Sequence, residues 1–193
     1  MLVNEIFYSL QGEGYYSGTP AVFIRLSGCN LQCPFCDTHH AGYVEYTELE
    51  TVAMTGFYDC HHVVVTGGEP ALQLTPTFVD ALHSVGHYVA VETNGTCPLP
   101  PNVDWVTLSP KDLFLGPAAA PVLERADELK LLFDGVHEPS LYPHIQVAHR
   151  YLQPCDTGDP VRNADLVRQA VDYCMAHPEW RLSLQLHKIL NIR

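Results

Sequence analysis

Short apolar runs that stop at polar or glycine-rich segments recur through this chain, and they constrain its fold more than any other feature. Ala21-Val22-Phe23-Ile24-Arg25-Leu26, His62–Thr66, Tyr88–Glu92, Trp105–Leu108, Leu129–Phe133 and, with the faintest pattern, Arg181–Leu186 read as strands. Between some of them the apolar period becomes helical. Thr77–Val85 carries Phe78, Val79, Leu82 and Val85 on one face. Ala164–His177 carries Leu166, Val167, Ala170, Val171 and Cys174, starting after Asn163 and stopping before Pro178. Val3–Tyr8 adds a strand at the front. Alternating strands and helices imply an α/β fold with a parallel sheet. A complete eight-fold (βα) barrel takes ~250 residues, and 193 residues fall short of it. The expectation is roughly six core strands with some helices lost, either as an open doubly wound sheet or as a truncated, modified (βα) barrel. No repeat, low-complexity tract or polar linker divides the chain, so residues 1–193 read as one domain.

In either architecture chemistry gathers at the carboxyl ends of the strands. Cys29 follows the first core run, Gly67-Gly68-Glu69-Pro70 the second, Glu92-Thr93-Asn94-Gly95 closes the third, and Ser109-Pro110-Lys111 follows the fourth. Polar groups at four successive strand ends indicate a shared site.

Composition narrows the function classes. Lys and Arg total 10 against 22 Asp and Glu, a formal charge of −12, which argues against a protein that grips nucleic acid by its phosphates. No apolar run approaches the ~20 residues of a membrane span. The start, Met1-Leu2-Val3-Asn4-Glu5, lacks the basic and apolar regions of a secretory signal, so a cytoplasmic location is expected. Seven cysteines without that signal do not read as a disulfide framework. Cys60, Cys97, Cys155 and Cys174 read as small buried hydrophobes. The histidine pairs His39-His40 and His61-His62 read as surface or loop residues.

Cys29, Cys33 and Cys36 are crowded at spacing C-x3-C-x2-C. Three thiolates in one loop suit either of two soft-metal centres. A zinc-stabilised binding module would need a fourth ligand, which His39 or His40 supplies. A [4Fe–4S] cluster would keep one iron open to a ligand; no second C-x2-C pair exists to complete a two-knuckle zinc site.

The C-x3-C-x2-C loop together with Gly67-Gly68-Glu69-Pro70 resembles the radical S-adenosylmethionine superfamily, whose GGE motif meets the methionine amino group. Glu5–Gly14, Gly18-Thr19-Pro20, Phe23–Leu31, Cys36-Asp37-Thr38, Val64–Pro70, Glu92–Gly95, Ser109–Lys111 and Gln185–Arg193 resemble the 7-carboxy-7-deazaguanine synthase family over nearly the whole chain. The resemblance implies a truncated barrel, a [4Fe–4S] cluster, S-adenosylmethionine and Mg2+. It also implies a homodimer, an electron donor such as flavodoxin, and radical contraction of 6-carboxy-5,6,7,8-tetrahydropterin to 7-carboxy-7-deazaguanine with loss of ammonia. A glycyl-radical-type activating enzyme is the rival within the superfamily.

Carried over residue by residue, Cys29, Cys33 and Cys36 would hold the cluster. Thr38 would be the protein ligand to Mg2+, although Asp37 is the more obvious oxygen donor and a loop-capping threonine the ordinary alternative. Gln11 and Glu13, in a Gly-flanked loop that otherwise reads as a solvated turn, would meet the pterin's amino-pyrimidinone edge. Leu10, Thr66 and Glu92 would be further substrate contacts. Arg25 shares a strand face with Phe23, so it needs an anion. The substrate carboxylate would serve, or an internal salt bridge, to Glu92 for example. Gly68, Ser109, Lys111 and Gln153 would meet the cosubstrate. Phe35 would shield the cluster or pack near adenine. The tail departs from the family pattern at Leu186 and Arg193, and Arg193 would reach the substrate through its main-chain carboxylate.

Overall fold

The structure, a computed structural model, describes residues 1–36, 38 and 42–193. Its spine is an open nine-stranded sheet in the order β3-β1-β2-β4-β5-β6-β7-β8-β9. The strands are β1 (Leu2–Leu10), β2 (Pro20–Leu26), β3 (Val44–Glu45), β4 (His62–Gly67), β5 (Tyr88–Thr93), β6 (Trp105–Leu108), β7 (Arg125–Phe133), β8 (Gln146–Pro154) and β9 (Arg181–Leu182). From β2 to β9 every pairing is parallel, and β1 and β3 extend the front edge antiparallel. Between edge strands β3 and β9 the sheet does not close, which is a truncated barrel. The helices are α1 (Glu48–Thr55), α2 (Pro76–Ser84), α3 (Asp112–Leu115), α4 (Pro160–Ala176) and α5 (Leu186–Leu190).

Strand alternation divides the sheet into two faces. On the outer face Val22, Ile24, Leu26, Val63, Val65, Val89 and Val91 bury against Phe78, Val79 and Leu82 of α2 and Val52 of α1. Further along, Leu129, Leu131 and Leu152 bury against Leu166 and Ala170 of α4. On the inner face the register stacks residues in rows. Phe7, Phe23, Val64, Ala90 and Trp105 lie side by side across five strands as an apolar base layer. One step toward the carboxyl ends, Glu5 pairs with Arg25 and Arg25 with Thr66, while Glu92 pairs with Thr107 and Thr107 with Glu128. The switch from an apolar row to a polar row is what opens a site above that layer.

Three expectations need correction. Gln146–Pro154 is a nine-residue strand where no strand was expected. Its apolar residues are interrupted by His149 and Gln153, which share the face that meets Glu128, Lys130 and Leu132 of β7, and by Arg150 on the opposite face beside Leu129. The last expected strand is only Arg181–Leu182, since Leu186 already begins α5. α4 starts earlier than expected: Asp159 caps it by accepting from the Val161 N–H at 2.9 Å, with Pro160 at the first helical position. Of the paired histidines read as surface or loop residues, His62 is not one, and His87, outside those pairs, is also buried. His62 is buried between Tyr16 and Tyr88, with ring centroids at 4.7 and 5.4 Å, and His87 is buried beside Thr55. Of the four scattered cysteines only Cys155 is fully buried; Cys60, Cys97 and Cys174 are half-buried.

Candidate functional site

The chain turns out of β2 into the cysteine loop, and the end of β4 seats it. The Gly68 N–H donates to the Leu26 carbonyl at 3.0 Å and the Glu69 N–H to the Gly28 carbonyl at 2.9 Å. The backbones lie so close that a Cβ on Gly68 would stand 1.9 Å from the Gly28 oxygen. Glycine is required there for approach, and Gly67 adds a φ of 126°. Glu69 is fully buried, and its carboxylate accepts from the Thr93 hydroxyl at 2.6 Å, the Asn94 N–H at 2.7 Å and the Ala71 N–H at 3.0 Å. Its side chain therefore ties β4 to the end of β5, and the two glycines are what the motif presents to the cavity.

That cavity, about 400 Å³, has Cys29, Cys33 and Cys36 on one wall. Among the described residues none of the three forms a disulfide. Burial pushes the Cys29 and Cys33 thiols above their ordinary pKa, and neighbouring thiols add to the rise. Among the described residues no three His, Cys, Asp or Glu side chains group around a single metal ion. Three cysteines of one loop that all face the cavity suit the three thiolate ligands of an iron–sulfur cluster with one iron left open. His39 and His40, the candidate zinc ligands, and Asp37 lie outside the described residues.

Gly68, Ser109, Lys111, Gln153 and Phe35 line this same cavity. Lys111 donates to the Ser109 hydroxyl at 2.7 Å. Burial lowers its pKa to about 8, against the pull of Cys33. Phe35 packs edge-on to Phe114 at 4.8 Å, so its ring joins the second core as well as the cavity wall. Gln153 stands deeper: it accepts from the Ser183 hydroxyl at 2.8 Å and bonds to Glu13.

A second cavity of about 460 Å³ adjoins the first; both are lined by Glu13, Thr38, Thr66, Glu92 and Lys188. Thr38 thus sits where the thiol wall gives way to carboxylates. Glu92 accepts from the Thr66 hydroxyl at 2.9 Å and the Gln11 amide at 3.1 Å. Lys130, on the inner face of β7, reaches Glu13 at 2.5 Å and Glu92 at 3.3 Å. The Gln185 amide donates to the other Glu13 oxygen at 3.0 Å. Burial would raise the Glu13 pKa, but the Lys130 charge and the surrounding hydrogen bonds outweigh it and hold it at about 2. Burial likewise opposes the Lys130 charge, and Glu13, Glu92 and Glu128 reverse that and raise its pKa.

Arg25 pairs with Glu5, its direct register partner, at 2.9 Å, not with Glu92. The Arg25 and Arg193 guanidinium groups lie over the Phe7 ring at 5.7 and 5.1 Å, and Arg193 also bonds Glu5. The Arg193 main-chain oxygen accepts from Ser9, which fastens the tail to β1. Leu10 is not brought to either cavity wall; it pairs with Pro20 at the end of β1.

Three cavity-lining residues went unread in the sequence, Glu5, Lys130 and Gln185, as did Glu128, which lies beside the site without lining either cavity. Lys130 left a usable signal, one cation inside Leu129-Lys130-Leu131-Leu132-Phe133. Glu128 is buried, accepts from the Tyr15 N–H at 2.8 Å and lies against Gly14, while its other oxygen has no hydrogen-bond partner among the described residues. Burial raises its pKa to about 7.

An open parallel barrel with a thiol wall, a glycine-seated cysteine loop and a polar floor defines a radical S-adenosylmethionine protein, and residues 23–112 match the radical SAM superfamily. Superfamily membership implies a [4Fe–4S] cluster and S-adenosylmethionine. The 7-carboxy-7-deazaguanine synthase of Bacteroides thetaiotaomicron is 48% identical over 99% of this chain and 98% of its own, and that of Bordetella pertussis is 41% identical over 98% of each. The crystal structure of QueE from Escherichia coli superposes with a TM-score of 0.76 at 32% identity, covering 96% of this chain and 94% of that one. The chain belongs to the 7-carboxy-7-deazaguanine synthase family.

Proposed function

We propose that this protein converts 6-carboxy-5,6,7,8-tetrahydropterin to 7-carboxy-7-deazaguanine with loss of ammonia, as a carbon–nitrogen lyase on the route to queuosine-type deazapurines. The observation that carries this reading is the adjoining pair of cavities, thiols on one side and carboxylates with a guanidinium on the other, meeting at Thr38, Thr66 and Glu92. The bound cluster and S-adenosylmethionine supply a hydrogen-abstracting radical. Cys29, Cys33 and Cys36 would hold the cluster, and Gly68, Phe35, Ser109, Lys111 and Gln153 the cosubstrate.

The remaining work belongs to the side chains around the substrate. Gln11, Glu13, Thr66 and Glu92 orient the ring through its polar edge. Arg25 meets the substrate carboxylate, sharing its charge with Glu5. The apolar Phe7–Phe23–Val64–Ala90 layer keeps water from below the ring. Thr38 offers Mg2+ an oxygen beside those of the substrate, which suits a cation that keeps few protein ligands. Arg193 closes the carboxylate end. A flavodoxin-like electron donor, a homodimer and a cytoplasmic location complete the reading.

The test is anaerobic turnover of the reconstituted enzyme with the tetrahydropterin, with and without Mg2+, followed by mass spectrometry. The ring-contracted product is expected, and its absence would favour a glycyl-radical-type activating enzyme. Thr38→Ala should lose Mg2+ stimulation while keeping its iron. Unchanged stimulation in that variant would remove Thr38 from the metal site.

A further inference from the structure

Lys130 is almost wholly buried, yet it lines the first cavity beside Glu13 and Glu92, the two carboxylates that line both cavities. Its ammonium has three N–H donors. Glu13 at 2.5 Å and Glu92 at 3.3 Å take two of them, and among the described residues no protein group takes the third. The floor therefore presents two carboxylate acceptors and one remaining cationic donor side by side. An amino-pyrimidinone edge carries the complementary series: an amino group, a ring N–H and then a carbonyl. We infer that Lys130 is a specificity-determining residue, its ammonium donating to the pyrimidinone carbonyl while it spaces Glu13 and Glu92 for the ring's N–H groups. The inference rests on the pterin reading and deepens it, because it selects the 4-oxo ring over a 4-amino ring. A 4-amino ring would turn N–H donors toward the ammonium and would also lose the ring N–H that a carboxylate accepts, and a site built to hydrogen-bond one group rejects its replacement strongly.

The test compares two redox-inert ligands, 6-carboxypterin and 2,4-diaminopteridine-6-carboxylate, by anaerobic calorimetry on the reconstituted protein. The wild type should bind the oxo compound at least about tenfold more tightly, the size of one charged hydrogen bond. Lys130→Met should lower the ratio at least about fivefold, leaving the part owed to the ring N–H, and Lys130→Arg, which keeps a cationic donor, should retain the full preference. A wild type with no preference overturns the inference without recourse to any variant, as does a Lys130→Met protein that keeps the full ratio. If the wild type binds neither compound, the pterin reading itself fails and the inference falls with it; binding of both without discrimination leaves that reading standing and removes only the role of Lys130.

Discussion

At the cysteine wall the chain is held by backbone: Gly68 and Glu69 N–H groups grip the Leu26 and Gly28 carbonyls, and no Cβ fits between them. A few residues below, around Glu13, Lys130 and Glu92, the holding is done by charge, with a buried ammonium between two carboxylates. The first arrangement depends on space, so added volume should break it. The second depends on neutralisation, so a removed charge should break it. The two regions share one cavity yet should fail differently, the wall through cofactor loading and the floor through stability.

The largest effect is expected at the floor. Lys130→Met leaves Glu13 and Glu92 buried and uncompensated. Breaking a buried pair by deleting one partner costs about 3–5 kcal/mol, which for a chain of this size lowers the melting temperature by roughly 6–20 °C. Differential scanning calorimetry at pH 7 reads it directly. A loss under about 1 kcal/mol would mean that the pair is solvated in practice and that charge does not hold the floor. The same pair predicts an acid limb. The depressed Glu13 pKa contributes stability that is complete above its ordinary value of 4.5 and is lost as pH falls toward about 2.

At the wall, Gly68→Ala drives a methyl into the Gly28 carbonyl and displaces the segment that carries Cys29. A displacement near 1 Å of reacting groups costs on the order of a hundredfold in turnover. Iron content after reconstitution should fall together with product formation, while the melting temperature of the metal-free protein drops less than in Lys130→Met. Normal iron with normal turnover would show that the seat tolerates volume and would erase the contrast between the two regions.

The wall and the floor were also not equally open to sequence reading. β2, β4 and β5 are apolar on both faces apart from their carboxyl ends, so their runs stand out, and the cysteine spacing and paired glycines mark the wall. The floor is assembled from the loop after β1, the end of β5, and β7, β8 and the tail, and on the last three the inward residues mix polar with apolar. Val147, Ala148, Tyr151 and Leu152 alternate with Gln146, His149, Arg150 and Gln153, and that mixture looks like a loop until the strand is paired with β7. Arg25 was legible as a cation needing an anion, but its partner was not. Glu5 faces it only because β1 runs antiparallel to β2 in one particular register. α1 was missed for a local reason: eight residues bury little, although Thr47 and Glu50 form a complete capping box.

The smallest predicted effect concerns Glu128, which belongs to the floor by position but not to its charge balance. Burial raises its pKa to about 7, and Lys130, already shared by Glu13 and Glu92, only partly offsets that rise. Its sign is opposite to that of Glu13. A carboxyl whose folded pKa lies above its unfolded one makes the folded state bind more protons, so it lowers stability as pH rises from 4.5 to about 7, and the penalty persists above that. Glu128→Gln removes the ionisation and leaves an oxygen to accept from the Tyr15 N–H. The variant should match the wild type at pH 5 and exceed it by roughly 1–3 kcal/mol at pH 8, read as melting temperature against pH. Equal stability at both pH values would mean that Glu128 ionises as easily folded as unfolded. In that case water or a cation reaches its unpaired oxygen behind Gly14, and the floor is wetter than its burial implies.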